Sequence, residues 1–169
     1  MSDKLNSFQM AVAPASNHAS GLELNDLAEF VKEQTGIRID VKLCNSYQEA
    51  IVALTNGSAQ LGWLGPYAYM EALKEGAPIE AFAVGLPIGK GIPSYHSVFI
   101  ASASGSVKTL DDIRGCRIAV SDRHSTSGYL VPRNILLEHN INLADGSGLK
   151  DVVIAHDHDV AIHHLIEDK

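Results

Sequence analysis

The chain is poor in cysteine, with only Cys44 and Cys116 among 169 residues. The two fall in different predicted strand–helix units, so they form no disulfide framework and read as separate buried thiols. No apolar run approaches the roughly 20 residues that a membrane-spanning helix needs. Positive charge is scarce: 13 Lys and Arg against 20 Asp and Glu give a formal net charge of −7. With no basic stripe, that balance argues against a nucleic-acid surface. It does not exclude a small anion, because a local site is set by nearby dipoles and not by the total. The opening "MSDKLNSFQMAV" lacks a basic region followed by an apolar one, so no signal peptide is read there. A cytosolic protein and one whose leader is replaced both fit that start. Internal repeats and low-complexity tracts are missing as well. What is present, 46% hydrophobic and 20% charged residues, is the composition of an ordinary globular protein.

Apolar periodicity divides the chain into alternating elements. "FQMAVAP" reads as a strand closed by Pro14, and "GLELNDLAEFVKEQTG" as a helix stopped by Gly36. "IRIDVKLC" is a strand, "SYQEAIVALTNG" a helix, "AQLGWLGP" a strand running into a turn, and "YAYMEALKEG" a helix. "IEAFAVGL" and "YHSVFIAS" are expected strands on either side of the glycine- and proline-rich loop "PIGKGIPS". "TLDDIRG" is a short helix capped by Thr109, and "CRIAVSD" a strand. "SGYLVPRNILLEHN" is a helix interrupted near Pro132, "DVVIAH" a strand, and "DVAIHHLIEDK" the last helix. Alternation of this kind predicts an α/β fold with mainly parallel sheets. A break near "SYHSVFIASAS" predicts two lobes, residues 1–97 and 98–169. Ligands of such sheets bind beyond the carboxyl ends of the strands. The candidate loops are therefore 14–20, 45–47, 64–67, 121–127 and 156–159.

One of these loops stands out. "SDRHSTSG" places Ser125, Thr126, Ser127 and Gly128 at the mouth of a helix. A cap needs one hydroxyl, and three are present. Free N–H groups, the positive end of the helix dipole and several hydroxyl donors would converge there on one oxyanion. Gly128 allows close backbone approach.

Four stretches, taken together and in order, carry a resemblance to a known family: "NSYQEAIVALTNGSAQLGWLGPYAYMEA", "PSYHSVFIASASGSVKTLDDIRG", "SDRHSTSGYLVPRNIL" and "VIAHDHDVAI". The chain resembles the phosphonate-, phosphite- and phosphate-binding periplasmic proteins of ABC transporters, a branch of the type II periplasmic binding-protein fold. The resemblance implies a two-lobed clamp that closes on a tetrahedral oxyanion, in the periplasm, and feeds a transporter permease. Carried over residue by residue, it implies ligand contacts from Tyr47, Tyr95, Ser125, Thr126, Ser127 and His156. The turn Leu64–Tyr67 would form part of the opposite wall. No cofactor, metal or catalysis is implied. The family usually has Asp where this chain has Gln60. It also continues beyond "AIHHLIEDK" with a further strand of the second lobe, which often brings an acidic contact, and then returns to the first lobe. The resemblance therefore implies an incomplete second lobe with an open sheet edge, which invites self-association.

Other chemistries have weaker support. "HDHDVAIHH" is rich in metal-ligating types, but Asp159 and His163 form an ordinary i, i+4 helical pair and His164 faces elsewhere. A hydrolase would take Ser125 as nucleophile with His124 or His156 as base. There is no G-x-S-x-G elbow, and no acid is evidently placed to orient the base. "GKGIPS" lacks phosphate-loop spacing. A sensor or interaction domain on the same fold is the alternative from a different functional class.

Overall fold

The computed structural model describes residues 7–14, 19–86 and 91–167. Two parallel sheets organise them. The first has strands β1 (Ser7–Val12), β2 (Arg38–Leu43) and β3 (Leu61–Trp63), in the order β2-β1-β3. Met10 of β1 stands opposite both Val41 and Leu61, so β1 is the central strand. Helix α1 (Ala19–Thr35) joins β1 to β2 and ends at Gly36, whose φ of +74° only glycine adopts readily. Helix α2 (Tyr47–Thr55) starts on Ser46, whose Oγ accepts from the Glu49 amide at 3.1 Å. Helix α3 (Pro66–Lys74) follows β3.

The second sheet pairs β4 (Arg117–Val120) with β5 (Asp151–Ile154) in parallel, Val120 opposite Ile154. Between them run a π-helical turn over Thr126–Leu130 and helix α4 (Val131–Glu138). Helix α5 (His158–Ile166) closes the described chain.

Each sheet has its own core. Around the first, Ala11, Ala50, Ala53, Ala68 and Ala72 let α2 approach β1 and α3 approach α2 closely, and Ile51 and Leu54 supply the bulk. Around the second, Leu136, Ile141 and Leu143 pack with Val120, Ile113 and Tyr129. Gln60, where the resembled family carries Asp, has a structural task. Its Oε1 accepts from the Gln9 amide at 3.0 Å and its own amide donates to the Gln9 carbonyl at 3.1 Å, tying β1 to the approach of β3.

Several local expectations are corrected. Residues 79–86 and 95–102 form no strand. Their apolar alternation is that of a strand, but a strand exists only by pairing, and among the described residues no strand ladder includes them. Phe82 is 84% exposed and Val98 70% exposed as a result. "TLDDIRG" yields only a 3₁₀ turn, Asp111–Ile113. Thr109 does not cap it by accepting: its hydroxyl donates to Asp112 at 2.9 Å, and that carboxylate takes the amides of Lys108 and Thr109. These bonds hold the Asp112 carboxyl below its ordinary pKa. The interruption expected near Pro132 is a change of helix type, the π-helical turn giving way to α-helix at Val131. Cys44 is buried as expected, but Cys116 is only half-buried, its Sγ 3.3 Å from the Asp112 carbonyl.

Leu136 is fully buried at the centre of the second core. Leu136→Ala is expected to cost about 2–5 kcal/mol, read as a lower urea midpoint at unchanged slope.

Candidate functional site

The carboxyl ends of β4 and β5 lie side by side, and the ladder runs one residue further through the Ala155 amide on the Val120 carbonyl at 2.8 Å. Ser121–Ser125 leave one strand and His156 leaves the other. The turn that follows β4 is unusually tight. Ser125 caps the helix, its Oγ accepting from the Gly128 amide at 3.0 Å. A Cβ built on Gly128 would lie 1.8 Å from Ser121 Oγ and 2.9 Å from Ser125 Oγ. Only glycine fits there. The Leu130 amide reaches back to the Ser125 carbonyl at 3.0 Å, a π-type bond. This wide first turn leaves one more leading amide outside the helical ladder than an α-helix would. Among the described residues, the amides of Thr126 and Ser127 make no hydrogen bond.

The three hydroxyls do not play one role. Ser125 is 2% exposed and is the cap. The buried phenol of Tyr47 lies close by. Burial raises the Tyr47 pKa, the Ser125 hydroxyl opposes this, and the neighbouring Asp122, Tyr95 and Asp157 add to it. Thr126 reaches across to α3. Gly65 has no side chain to cap that helix, and Thr126 Oγ1 accepts from the Tyr67 amide at 2.9 Å in its place. Ser127 is held through its carbonyl, which accepts from Ser97 Oγ at 2.7 Å. A hydroxyl oxygen that accepts still has its own proton to donate. Thr126 and Ser127 line a cavity of about 220 Å³ with Tyr95, Ser94, Pro66 and Val131.

The predicted residues thus fall into three groups. Tyr95, Thr126 and Ser127 share the cavity. Tyr47 and Ser125 are buried neighbours behind it. His156 stands apart on the β5 loop, its backbone in the left-handed region at φ +64°, its side chain 67% exposed. Of the loop at 14–20, positions 15–18 lie outside the described residues, as do 87–90 of "PIGKGIPS".

Asp122 is the residue that sequence reading missed. It is 6% exposed. Its Oδ1 accepts from the His124 amide at 2.8 Å and meets His124 Nδ1 at 3.0 Å. Its Oδ2 faces His156 Nδ1 at 3.7 Å. An acid is therefore placed to orient a histidine, contrary to expectation, and the signal available was the "D-x-H" spacing of an Asx-turn. No triad is assembled among the described residues, because neither imidazole hydrogen-bonds Ser125 Oγ, which accepts from the Gly128 amide. Ser97 was missed too, since its role depends on a partner 30 positions away.

Two parallel sheets, with strand ends facing a donor-lined helix start, define the class of a parallel α/β protein. The chain belongs to the family described as ABC transporter, phosphonate, periplasmic substrate-binding protein, whose model matches residues 10–169. It is similar to the phosphate-import protein PhnD of Mycolicibacterium smegmatis, 27% identical over 156 residues, which are 89% of this chain and 49% of that protein. Among solved structures it is similar to a binding-protein component of an ABC phosphonate transporter from Pseudomonas aeruginosa, with 22% identity and a TM-score of 0.81, covering 96% of this chain and 54% of that one. A second is PhnD1 of Prochlorococcus marinus in complex with methylphosphonate, with 14% identity and a TM-score of 0.68, covering 96% and 60%. The chain spans about half the length of the curated relative it matches.

Gly128→Ala is expected to destabilise the protein by about 1–3 kcal/mol through the clash with Ser121. Gly65→Ala, whose Cβ would meet only Thr126 Oγ1 at 3.5 Å, is expected to stay within about 0.5 kcal/mol of wild type. Urea unfolding of both variants tests the difference.

Proposed function

We propose that the chain is part of a non-enzymatic solute-binding protein that holds a phosphonate, phosphite or phosphate-like oxyanion and passes it to the permease of an ABC importer in the periplasm. The carrying observation is the widened helix start. The unbonded amides of Thr126 and Ser127, with the protons of their hydroxyls, sit at the wall of a small cavity beside Tyr95. Neutral donors and a helix dipole bind an anion without a counter-charge, which suits an acidic protein. Family membership supports the transport role. The contacts on this reading are Tyr95, Thr126 and Ser127 directly, Ser125 and Tyr47 through the donor network behind them, and His156 from the β5 loop. The lobes on this reading are residues 1–97 and 98–169, each built on one sheet, with the cavity between them.

Calorimetry with methylphosphonate, 2-aminoethylphosphonate, phosphite, phosphate and sulfate tests it. At least one phosphorus oxyanion is expected to bind. Ser127→Ala is expected to weaken it about tenfold or more, the loss of one hydrogen bond to a charged group. Absence of binding to all five would end the reading, and turnover of an ester by wild type but not Ser125→Ala would replace it with a hydrolase.

The exposed apolar segments favour a second property, self-association. Phe82, Val84, Leu86, Ile92, Val98 and Ile100 all face solvent, and unpaired extended segments of this kind recruit a further strand. Sedimentation over a concentration series is expected to show a rising mean mass that Val98→Asp reduces. A monomer at every concentration would contradict it, and a stable oligomer indifferent to oxyanions would favour a sensor or interaction domain.

A further inference from the structure

Asp122 puts a buried carboxylate in the loop that carries the proposed anion donors, and the arrangement around it gives that carboxylate a purpose. Two imidazoles, His124 from its own loop and His156 from the neighbouring strand end, both turn Nδ1 toward it. One is at 3.0 Å from Oδ1 and the other at 3.7 Å from Oδ2. A carboxylate accepts and does not donate when ionised. His124 is within hydrogen-bond distance and carries its hydrogen on Nδ1; His156, at 3.7 Å, makes no hydrogen bond, and the negative charge of the carboxylate favours the hydrogen on the nitrogen that faces it. His156 has little else to orient it: its ring is mostly exposed, and its backbone is held in a conformation that costs a non-glycine residue free energy. The other ionisable groups of the cluster are Asp157, Tyr47 and Tyr95. Arg123 is turned away onto Tyr129, with its NH1 3.1 Å from the phenol oxygen.

Taking His156 as a ligand contact, as in the function proposed above, we propose that Asp122 is a positioning residue that holds His156 in the Nδ1–H form. Nε2 then meets the ligand as an acceptor, and the site selects oxyanions that bring a proton. The hydrogen bond between Nε2 and the ligand oxygen contains one proton. A monoanion with a P–OH group supplies it, and nothing is exchanged with solvent. A dianion binds only as one proton is taken from solvent. A sulfonate brings no proton and meets an unprotonated nitrogen.

The test uses the intact 169-residue chain. Long-range proton–nitrogen correlation of the imidazoles, at a pH where they are neutral, reads the tautomers, with His124→Gln and His156→Gln for assignment. In wild type, His124 and His156 are both expected in the Nδ1–H form. In Asp122→Asn, the amide oxygen keeps its bonds to the His124 amide and ring, so His124 should stay as it is. The amide nitrogen would then face His156 as a donor, and His156 should change to the Nε2–H form. Calorimetry at alkaline pH in buffers of different ionisation enthalpy is expected to show uptake of about one proton with methylphosphonate in wild type and none in Asp122→Asn. In that variant the preference should also move toward methanesulfonate by about tenfold, the size of one hydrogen bond to a charged group. An Nε2–H form of His156 in wild type overturns the proposal. So does a tautomer unmoved by Asp122→Asn, or an unchanged proton uptake. If Asp122→Asn fails to fold, the wild-type tautomers decide alone. If the tautomers behave as expected but wild type binds none of the oxyanions, the orienting role of Asp122 stands, and the ligand selection falls together with the proposed function.

Discussion

The close approach of Gly128 to Ser121 and Ser125 is the constraint on which the rest of this molecule depends. With no Cβ in the way, the chain after β4 turns sharply enough for Ser125 to cap its own helix through the Gly128 amide. The same turn widens the first helical ring and leaves the Thr126 and Ser127 amides outside the ladder. Thr126 then serves the other sheet by capping α3, where Gly65 offers no side chain of its own. The joint between the two halves and the donor set are thus consequences of one packing arrangement. A structural role and a binding role need not compete here, because Thr126 accepts with its hydroxyl oxygen and keeps its proton, and Ser127 is held through its carbonyl.

Much of this was legible in the sequence. The alternation of strands and helices and the glycine stop at Gly36 are local signals, set by side-chain spacing and backbone freedom. "STSG" was legible for the same reason, since capping is local chemistry. The division of labour among its hydroxyls was not. It depends on Tyr47, Tyr67 and Ser97, which are 30 to 78 positions away and come close only in the folded chain. Asp122 escaped notice because an acid beside an expected anion site reads as a loop residue until its two imidazoles are in view. The segments 79–86 and 95–102 show the opposite failure. Their pattern promises strands, but a strand is a property of a pair, and the described chain supplies no partner.

Electrostatics gives the site its character. The protein carries a formal charge of −7, and the described cavity brings no lysine or arginine to its wall. On the proposed function, an anion is held by oriented N–H and O–H dipoles, whose strength comes from being fixed in advance. The sheet edges and apolar segments left open fit a chain that spans about half the length of its curated relative.

The most direct test of the central claim is a titration of the nitrogen-15-labelled protein with methylphosphonate, following the backbone amides. The account predicts that the Thr126 and Ser127 resonances move first and furthest downfield, as amides do when they donate to a charged oxygen. Saturable shifts elsewhere that leave these two amides unmoved would contradict it.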